Sequence, residues 1–281
     1  MSDELKNPVV TRITSNGYPP DMYRLEYESP VDGVKDAALI RPPTNGKSDW
    51  MVVIHGHGSH ETQLCMRQDV RRVQLTAYLE LGVGIITPNL RNNAWMGPAA
   101  VEDMDSLLDF LRSRYGAKRF YFESGSMGAT SNLIYAILRP RNVSGVVARG
   151  AITDLAAYIP FCRKEHAETP VGDWRRQIFK EIADCIEEAY GGTPEERPDI
   201  YRAHSPLFHP EALADIPIYL AHGTQDELMP VAQSRRFAAA MATNPNFTYI
   251  EVPGGSHDAP LSIPCMADLG NITAPLKWIF R

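Results

Sequence analysis

Phe120-Tyr-Phe-Glu-Ser-Gly-Ser-Met-Gly-Ala129 is the stretch of sequence that decides the fold. It joins a short apolar strand segment to a run of small residues and then to a segment of helical character. A strand, a sharp turn and a helix in immediate succession form the context of a nucleophile elbow, in which a strained turn exposes one side chain at the end of a strand. We therefore expect this turn to lie at the carboxyl edge of a central sheet.

Two serines in this turn compete for the exposed position. The strained turn requires small residues two positions before and two positions after the nucleophile. If Ser126 is the nucleophile, these positions hold Ser124 and Gly128. If Ser124 is the nucleophile, one of them holds Phe122, which would be crowded. The sterics favour Ser126, although Ser124 stands where a strict Gly-x-Ser-x-Gly motif has glycine.

The pattern on both sides of the elbow predicts a parallel sheet. From Trp50 onward, short apolar segments alternate with segments of helical period, which is typical of βαβ units. Two earlier segments are joined through an Asp-Gly hairpin turn, so the sheet begins antiparallel. The sum is an eight-stranded, mostly parallel, doubly wound α/β sheet, with strands at Tyr23–Tyr27, Ala37–Ile40, Trp50–Ile54, Val83–Ile86, Phe120–Phe122, Val143–Val147, Ile216–Leu220 and Phe247–Val252.

Apolar periodicity also predicts the helices, at Val101–Leu111, Met127–Leu138, Val231–Met241 and roughly Met266–Ile279. The connection from Arg149 to Ile216 is too long for a simple crossover, and an amphipathic stripe begins within it at Trp174. We expect a single domain over residues 1–281, with a helical cap insertion at approximately 154–212. Such a cap would lie above the sheet edge where ligands bind.

Composition and charge narrow the function classes. The chain is 44% hydrophobic and 22% charged, as in ordinary globular proteins, and its net charge of -6 argues against nucleic acid or an anionic membrane as the main partner. No signal-peptide pattern and no run of 18 apolar residues occurs, so we predict a cytoplasmic protein. The four cysteines form no CxxC pair, which argues against a zinc ribbon or disulfide framework. Composition leaves a homodimer open.

An acid and a base follow the later strands in a consistent order. Asp226 comes just beyond the strand that starts at Ile216, with Glu227 as its nearest rival. His257 lies on the loop after the last predicted strand, at the same edge of the sheet. The order Ser126, Asp226, His257 is the one that the α/β-hydrolase topology requires. In this arrangement the acid holds the imidazole tautomer and stabilises the imidazolium without taking the proton.

The segment His55-Gly-His-Gly-Ser-His60 has two interpretations. Its backbone amides follow a strand and suit an oxyanion hole, which we assign to the amides of His57 and Met127. Alternatively, His-x-His-x-x-His resembles the zinc-binding string of the metallo-β-lactamase class. Ser59 stands where that class has an aspartate ligand, and a zinc site would leave the elbow unexplained. We therefore predict neither metal nor cofactor.

Three segments carry a narrower resemblance: Tyr190-Gly-Gly-Thr-Pro-Glu-Glu196, Tyr201-Arg-Ala-His-Ser-Pro-Leu207 and His222-Gly-Thr-Gln-Asp226. They resemble the catalytic domain of the prolyl oligopeptidase family, within the α/β-hydrolase superfamily. The resemblance implies a serine hydrolase with Ser126, Asp226 and His257 as its triad. The chain has no room for that family's β-propeller, and His55-Gly-His-Gly58 is closer to the HGxG of esterases.

These departures favour a carboxylesterase that cleaves small or medium acyl esters and has a small-molecule ester as its partner. A small peptidase or amidase and a non-catalytic binding protein of the same fold remain alternatives. Trp95, Tyr158 and Trp174 are candidate substrate-binding residues, with core packing as the other interpretation. Arg91 and Arg149 follow strands and would bind either a substrate carboxylate or a structural one.

Overall fold

The computed structural model describes residues 4–44 and 46–260, and within these the strands form a single sheet. The strand order is β1-β2-β3-β5-β4-β6-β7-β8-β9, so the strand that carries the elbow lies near the middle. The strands are β1 Lys6–Arg12, β2 Tyr23–Glu28, β3 Lys35–Arg41, β4 Asp49–Val52, β5 Gly84–Pro88, β6 Arg119–Gly125, β7 Gly145–Arg149, β8 Ile218–Gly223 and β9 Phe247–Val252.

The pairing confirms the mostly parallel, doubly wound sheet. Strands β1, β2 and β3 form an antiparallel meander, and β3 pairs antiparallel with β5. The six strands β4 to β9 are parallel to one another. The expected count of eight strands is wrong, since the described residues form nine. The missed strand is Lys6–Arg12, whose residues are exposed apart from the half-buried Val10. An edge strand of this kind shows no apolar alternation in its sequence.

Helices lie between the strands, mostly where their periodicity predicts them. The predicted helix at Met266–Ile279 lies outside the described residues. No helix in the described ranges is long and apolar enough to span a membrane. The α-helices are α1 Gln63–Met66, α2 Gln68–Val70, α3 Thr76–Leu81, α4 Pro98–Tyr115, α5 Ser126–Leu138, α6 Leu155–Glu168, α7 Trp174–Tyr190, α8 Pro198–Ala203 and α9 Val231–Ala240. A π-helical turn, Arg71–Leu75, joins α2 to α3.

Both faces of the central strands are buried, because successive side chains of a strand point to opposite faces. Trp50 and Phe122 pack with α4 and α5 on one face, whereas Met51 and Tyr121 pack with α1 to α3 on the other. A sheet covered on both faces gives the turn after β6 a rigid support.

The long connection between β7 and β8 forms helices α6, α7 and α8, of which the amphipathic stripe from Trp174 predicts α7. Helix α7 buries Phe179, Ile182 and Ile186 against the body of the molecule. At its first residue, by contrast, Trp174 is 59% exposed. The inner face of α7 therefore belongs to the core, and its amino-terminal end meets solvent.

Candidate active site

The turn between β6 and α5 has the strained geometry that its sequence predicts. Ser126 has φ +59, an unfavourable value for a residue with a side chain, and α5 begins at this residue. A Cβ atom added to Gly128 would lie 2.1 Å from the Ile54 carbonyl oxygen, so that position accepts glycine alone. Ser124 is buried, and its hydroxyl accepts a hydrogen bond from the Ile54 amide at 2.9 Å. Ser124 thus fixes the turn, and Ser126 presents its hydroxyl.

Ser126, His257 and Asp226 lie within hydrogen-bonding distance of one another in series. His257 Nε2 lies 3.0 Å from Ser126 Oγ, and His257 Nδ1 lies 2.8 Å from Asp226 Oδ2. Gly150, with φ +61, gives this pair room, since an added Cβ would approach Asp226 Oδ2 to 3.3 Å. A hydroxyl, an imidazole and a carboxylate in this order are able to activate an oxygen nucleophile by proton transfer.

The surroundings of Asp226 keep its carboxylate ionised. Burial alone would raise its pKa, but hydrogen bonds from His222 and His257 and from the Met229 amide hold the pKa well below its usual range. The Leu228 and Met229 amides both donate to Oδ1, at 2.9 and 2.8 Å. Oδ1 is therefore held by the backbone and also lies 3.0 Å from His257 Nδ1, whereas Oδ2 lies nearer to that nitrogen and also faces His222.

The imidazole of His257 responds to the same carboxylate. Burial favours its neutral form, yet the hydrogen bond and negative charge of Asp226 outweigh that effect and raise the pKa of His257 above its usual value. The ring therefore has increased affinity for a proton arriving from Ser126. This is the property that a general base needs during attack on a carbonyl group.

Glu227, the rival acid, has a different contact. Its carboxylate accepts the backbone amide of His257 at 3.0 Å and so anchors the loop rather than the ring. His222 lies inside the core, where its Nδ1 is 2.7 Å from Ser234 Oγ. Its Nε2 nevertheless lies 3.2 Å from Asp226 Oδ2. No sequence signal marks this second histidine as a partner of the acid.

The loop after β4 presents an amide that suits the predicted oxyanion hole. The Gly56 amide donates to Gln63 Oε1 and the Gly58 amide to Asn93 Oδ1, both at 2.8 Å. The His57 amide between them has no hydrogen-bond partner in residues 4–44 and 46–260. The loop passes close to the elbow, because a Cβ on Gly56 would lie 3.9 Å from Ser126 Cβ.

The second predicted donor, Met127, lies in the first turn of α5, where helix amides have no intrahelical acceptor. The amino-terminal end of a helix also carries partial positive charge, which favours a developing oxyanion. The His57 and Met127 amides therefore lie on the two segments that border Ser126.

The histidines of this loop have contacts that do not suit a metal site. His55 Nδ1 and Nε2 lie 2.8 and 2.9 Å from the carbonyl oxygens of Gly56 and Asn89. His57 Nδ1 accepts a hydrogen bond from Trp95 Nε1 at 3.3 Å, and burial lowers the pKa of His57 to about 4. Across the described ranges, no three His, Cys, Asp or Glu residues gather as metal ligands. Among the described residues the zinc interpretation therefore has no set of three ligands.

A cavity of about 250 Å³ opens beside Ser126 and His257. Of the three predicted substrate-binding residues, Trp174 lines it, together with Ile178 and Ile182 of the same helix. Trp95 and Tyr158 do not line it, which corrects that expectation.

Trp95 and Tyr158 are buried behind the cavity wall. Trp95 is 1% exposed and donates to His57, while the Tyr158 hydroxyl donates to the Leu228 carbonyl oxygen at 3.0 Å. Their rings lie 5.9 Å apart between their centroids. The two aromatic residues pack α6 against the loop after β5, because adjacent aromatic rings stabilise such contacts.

The two arginines near strand ends bind structural carboxylates. Arg149 pairs with Glu123, and both side chains are almost completely buried. Arg91 pairs with Asp103 and, at 2.7 Å, with Asp32. Both guanidinium groups thus have carboxylate partners within the protein. This agrees with the interpretation that they bind structural carboxylates and not a carboxylate of the substrate.

Part of the chain matches a known protein family. A model of the prolyl oligopeptidase family matches residues 165–262, which include Asp226 and His257, and confirms the resemblance seen in the sequence. A search among curated proteins finds no significant match in sequence.

Solved structures extend the likeness to nearly the whole chain. An esterase of Pyrococcus furiosus is 18% identical, with a TM-score of 0.67, and the match covers 98% of each chain. A fluorophosphonate-binding serine hydrolase of Staphylococcus aureus is 15% identical, with a TM-score of 0.62, and the match covers 93% of this chain and 99% of that one. A puromycin hydrolase is 17% identical, with a TM-score of 0.63, and the match covers 98% of this chain but 39% of that one. The chain therefore has the α/β-hydrolase fold.

Proposed function

We propose that the chain is a serine hydrolase, and more narrowly a carboxylesterase that cleaves small or medium acyl esters through an acyl-enzyme on Ser126. One observation carries the proposal. The imidazole of His257 lies 3.0 Å from Ser126 Oγ on one side and 2.8 Å from a buried Asp226 carboxylate oxygen on the other. A serine hydroxyl is a poor nucleophile without such a base.

The reaction proceeds in two steps. Ser126 Oγ attacks the ester carbonyl carbon while His257 Nε2 takes its proton, and the negative charge on the carbonyl oxygen is stabilised by the His57 and Met127 amides. The tetrahedral intermediate expels the alcohol, which receives the proton from His257. Water then attacks the acyl-enzyme while His257 takes its proton. As the bond from the acyl carbon to Ser126 Oγ breaks, His257 returns that proton to Ser126 Oγ and the acid product leaves. Asp226 stabilises the imidazolium in both steps.

The cavity supports small ester substrates. Its volume of about 250 Å³ is below the range of about 300–1,000 Å³ that is usual for pockets that hold drug-sized ligands. Trp174 at the amino-terminal end of α7 borders it from the cap side. A long peptide would need more room than this cavity gives, which favours a compact ester.

A small peptidase or amidase is the second candidate, because the family model that matches residues 165–262 is that of the prolyl oligopeptidases. The third alternative, a non-catalytic protein of this fold, is disfavoured by the hydrogen-bonded series of Ser126, His257 and Asp226. Cytoplasmic location and dimerisation stay predictions, to be tested by cell fractionation and analytical ultracentrifugation.

A matched substrate panel tests the proposal. We expect p-nitrophenyl acetate and butyrate to be hydrolysed faster than the aminoacyl p-nitroanilides, with Ser126→Ala reducing turnover to background. Faster anilide cleavage would assign the chain to the amidases. Turnover that survives in Ser126→Ala would contradict the proposed nucleophile. A wild-type protein that turns over neither class would favour the non-catalytic alternative.

A further inference from the structure

Gln74 is a buried polar side chain that faces the same cavity as Ser126 and His257. It is 5% exposed. Within the described part of the chain its amide makes no hydrogen bond, and it is not one of the unpaired side-chain atoms that are completely shut off from solvent. Amides of largely buried residues in folded proteins are nearly always paired, with protein groups or with water, so the partner of the Gln74 amide has to come from the cavity. Gln74 thus presents two donors and one acceptor to whatever occupies the cavity.

Most other polar side chains around this cavity already have partners, although His57 Nε2 has none among the described residues. Gln63 accepts the Gly56 amide, and Thr87 donates to the Glu61 carbonyl oxygen at 2.6 Å. The Glu61 carboxylate is paired with Arg24. The hydrogen-bonding capacity of Gln74 is therefore not needed to complete a network within the protein.

The charges that line the cavity are also compensated. Arg67 contacts the carboxylates of Asp258 and Asp69, at 3.0 and 2.9 Å. Glu61 is neutralised by its ion pair with Arg24. The lining of the cavity that Gln74 shares also includes the apolar side chains of Val53, Leu64 and Val70. A neutral amide among apolar neighbours suits an uncharged polar group better than an ion.

The backbone at Gln74 has an unusual form. Residues Arg71–Leu75 make a π-helical turn, in which the Thr76 amide donates to the Arg71 carbonyl oxygen five residues earlier. A π-turn inserts one extra residue into a helix and changes the direction of the side chains after it, and such turns recur at functional sites. Gln74 lies within this turn, so its direction toward the cavity depends on it.

We propose that Gln74 is a specificity-determining residue that binds an uncharged hydrogen-bonding group, a hydroxyl or a carboxamide, on the substrate. The substrate class is then an ester that carries such a group within reach of the scissile carbonyl, in either its acyl or its alcohol part. This inference rests on the proposed ester hydrolysis at Ser126. It adds that hydroxylated esters are preferred to their apolar counterparts.

The test uses pairs of esters in which a terminal methyl group is replaced by a hydroxyl. In the acyl arm, ethyl butyrate is compared with ethyl 3-hydroxypropanoate, and in the alcohol arm, propyl acetate with 2-hydroxyethyl acetate. The released acid is titrated at constant pH. In one arm we expect the hydroxylated ester to have a kcat/KM about 10- to 100-fold higher, as for a hydrogen bond to a buried amide.

Variants connect this preference to Gln74. Gln74→Met, which keeps the length but removes the amide, should reduce the ratio of the two kcat/KM values to near one. If Gln74→Met does not fold, Gln74→Asn replaces it in the test. This variant keeps the amide but shortens the side chain by one methylene, and it should also lower the ratio. The matched control is Gln68→Met. Gln68 is an exposed residue at the start of α2 and lies outside this cavity, so its substitution should leave the ratio unchanged.

Two outcomes would overturn the proposal: equal kcat/KM within both pairs for the wild-type protein, or a preference that Gln74→Met retains. A binding measurement that needs no turnover separates failure of the Gln74 proposal from failure of the proposed ester hydrolysis. In the Ser126→Ala background, the hydroxylated ester should raise Tm more than its apolar partner, and adding Gln74→Met should remove the difference. If the wild-type protein hydrolysed no ester but this difference appeared, ester hydrolysis would fail and the Gln74 site would stand.

Discussion

Asp226→Asn is the substitution whose effect follows most directly from the geometry around the imidazole. In the wild-type protein the Leu228 and Met229 amides both donate to Asp226 Oδ1. The same two amides would hold the carbonyl oxygen of an asparagine in that position. The asparagine NH₂ group must then replace Oδ2, which lies 2.8 Å from His257 Nδ1.

Nδ1 lies closer to this NH₂ position, at 2.8 Å, than to the retained oxygen, at 3.0 Å. The NH₂ group therefore donates to Nδ1 and favours the neutral imidazole with its proton on Nε2. In that tautomer Nε2–H points at Ser126 Oγ and has no lone pair to take its proton. Loss of the same function in a serine protease lowers kcat by about 10⁴-fold, which corresponds to about 5.5 kcal/mol in the activation barrier. We expect a loss of that order here.

The assay compares kcat on p-nitrophenyl butyrate for the wild-type protein, Asp226→Asn and the adjacent Glu227→Gln. Glu227 accepts a backbone amide rather than the ring, so Glu227→Gln should lower kcat by less than about tenfold. Urea unfolding of both variants checks that the fold persists. The reasoning is refuted if Asp226→Asn keeps more than a tenth of wild-type kcat, or if Glu227→Gln has the larger effect.

Three further predictions follow from the same structure. Because the pKa of His257 is raised and its neutral form is the base, kcat/KM should increase with pH, with a midpoint above about 6.5; a midpoint well below that value would contradict the assigned base. Gly128→Ala should destabilise the fold by about 3 kcal/mol or more in urea unfolding, since its Cβ would lie 2.1 Å from the Ile54 carbonyl oxygen; unchanged stability would be inconsistent with this packing. Arg149→Met should lower the free energy of unfolding by about 3–5 kcal/mol, because it leaves the buried Glu123 charge unpaired. Adding Glu123→Leu should restore most of this lost stability. Equal stability of the single and double variants would show that the unpaired charge is not the cause.

Much of the fold was predictable because its signals are local. The apolar segments from Trp50 onward and the amphipathic stripe after Trp174 depend on burial, which periodicity records directly. The elbow was predictable for a stricter reason. Its backbone strain demands small residues at fixed offsets, and this demand separates Ser126 from Ser124 without any knowledge of the rest of the chain.

The features that sequence reasoning missed depend on distant contacts. Strand Lys6–Arg12 forms because an edge of the sheet offers free backbone groups, not because its own residues alternate. Trp95 resembles a ligand-stacking residue in the sequence, yet its ring is enclosed by the cap helices and its indole donates to His57. Likewise, the position of Gln74 at the cavity depends on a π-helical turn that no pattern of residues in the sequence predicts.

The most direct test of the account is covalent labelling by a fluorophosphonate, which reacts with serines that a neighbouring base activates. Intact mass and peptide mapping of the labelled wild-type protein should show one adduct per chain, on Ser126. The adduct should be absent from Ser126→Ala and strongly reduced in Asp226→Asn. An adduct on another residue, or equal labelling of Ser126→Ala, would contradict the assignment of Ser126 as nucleophile.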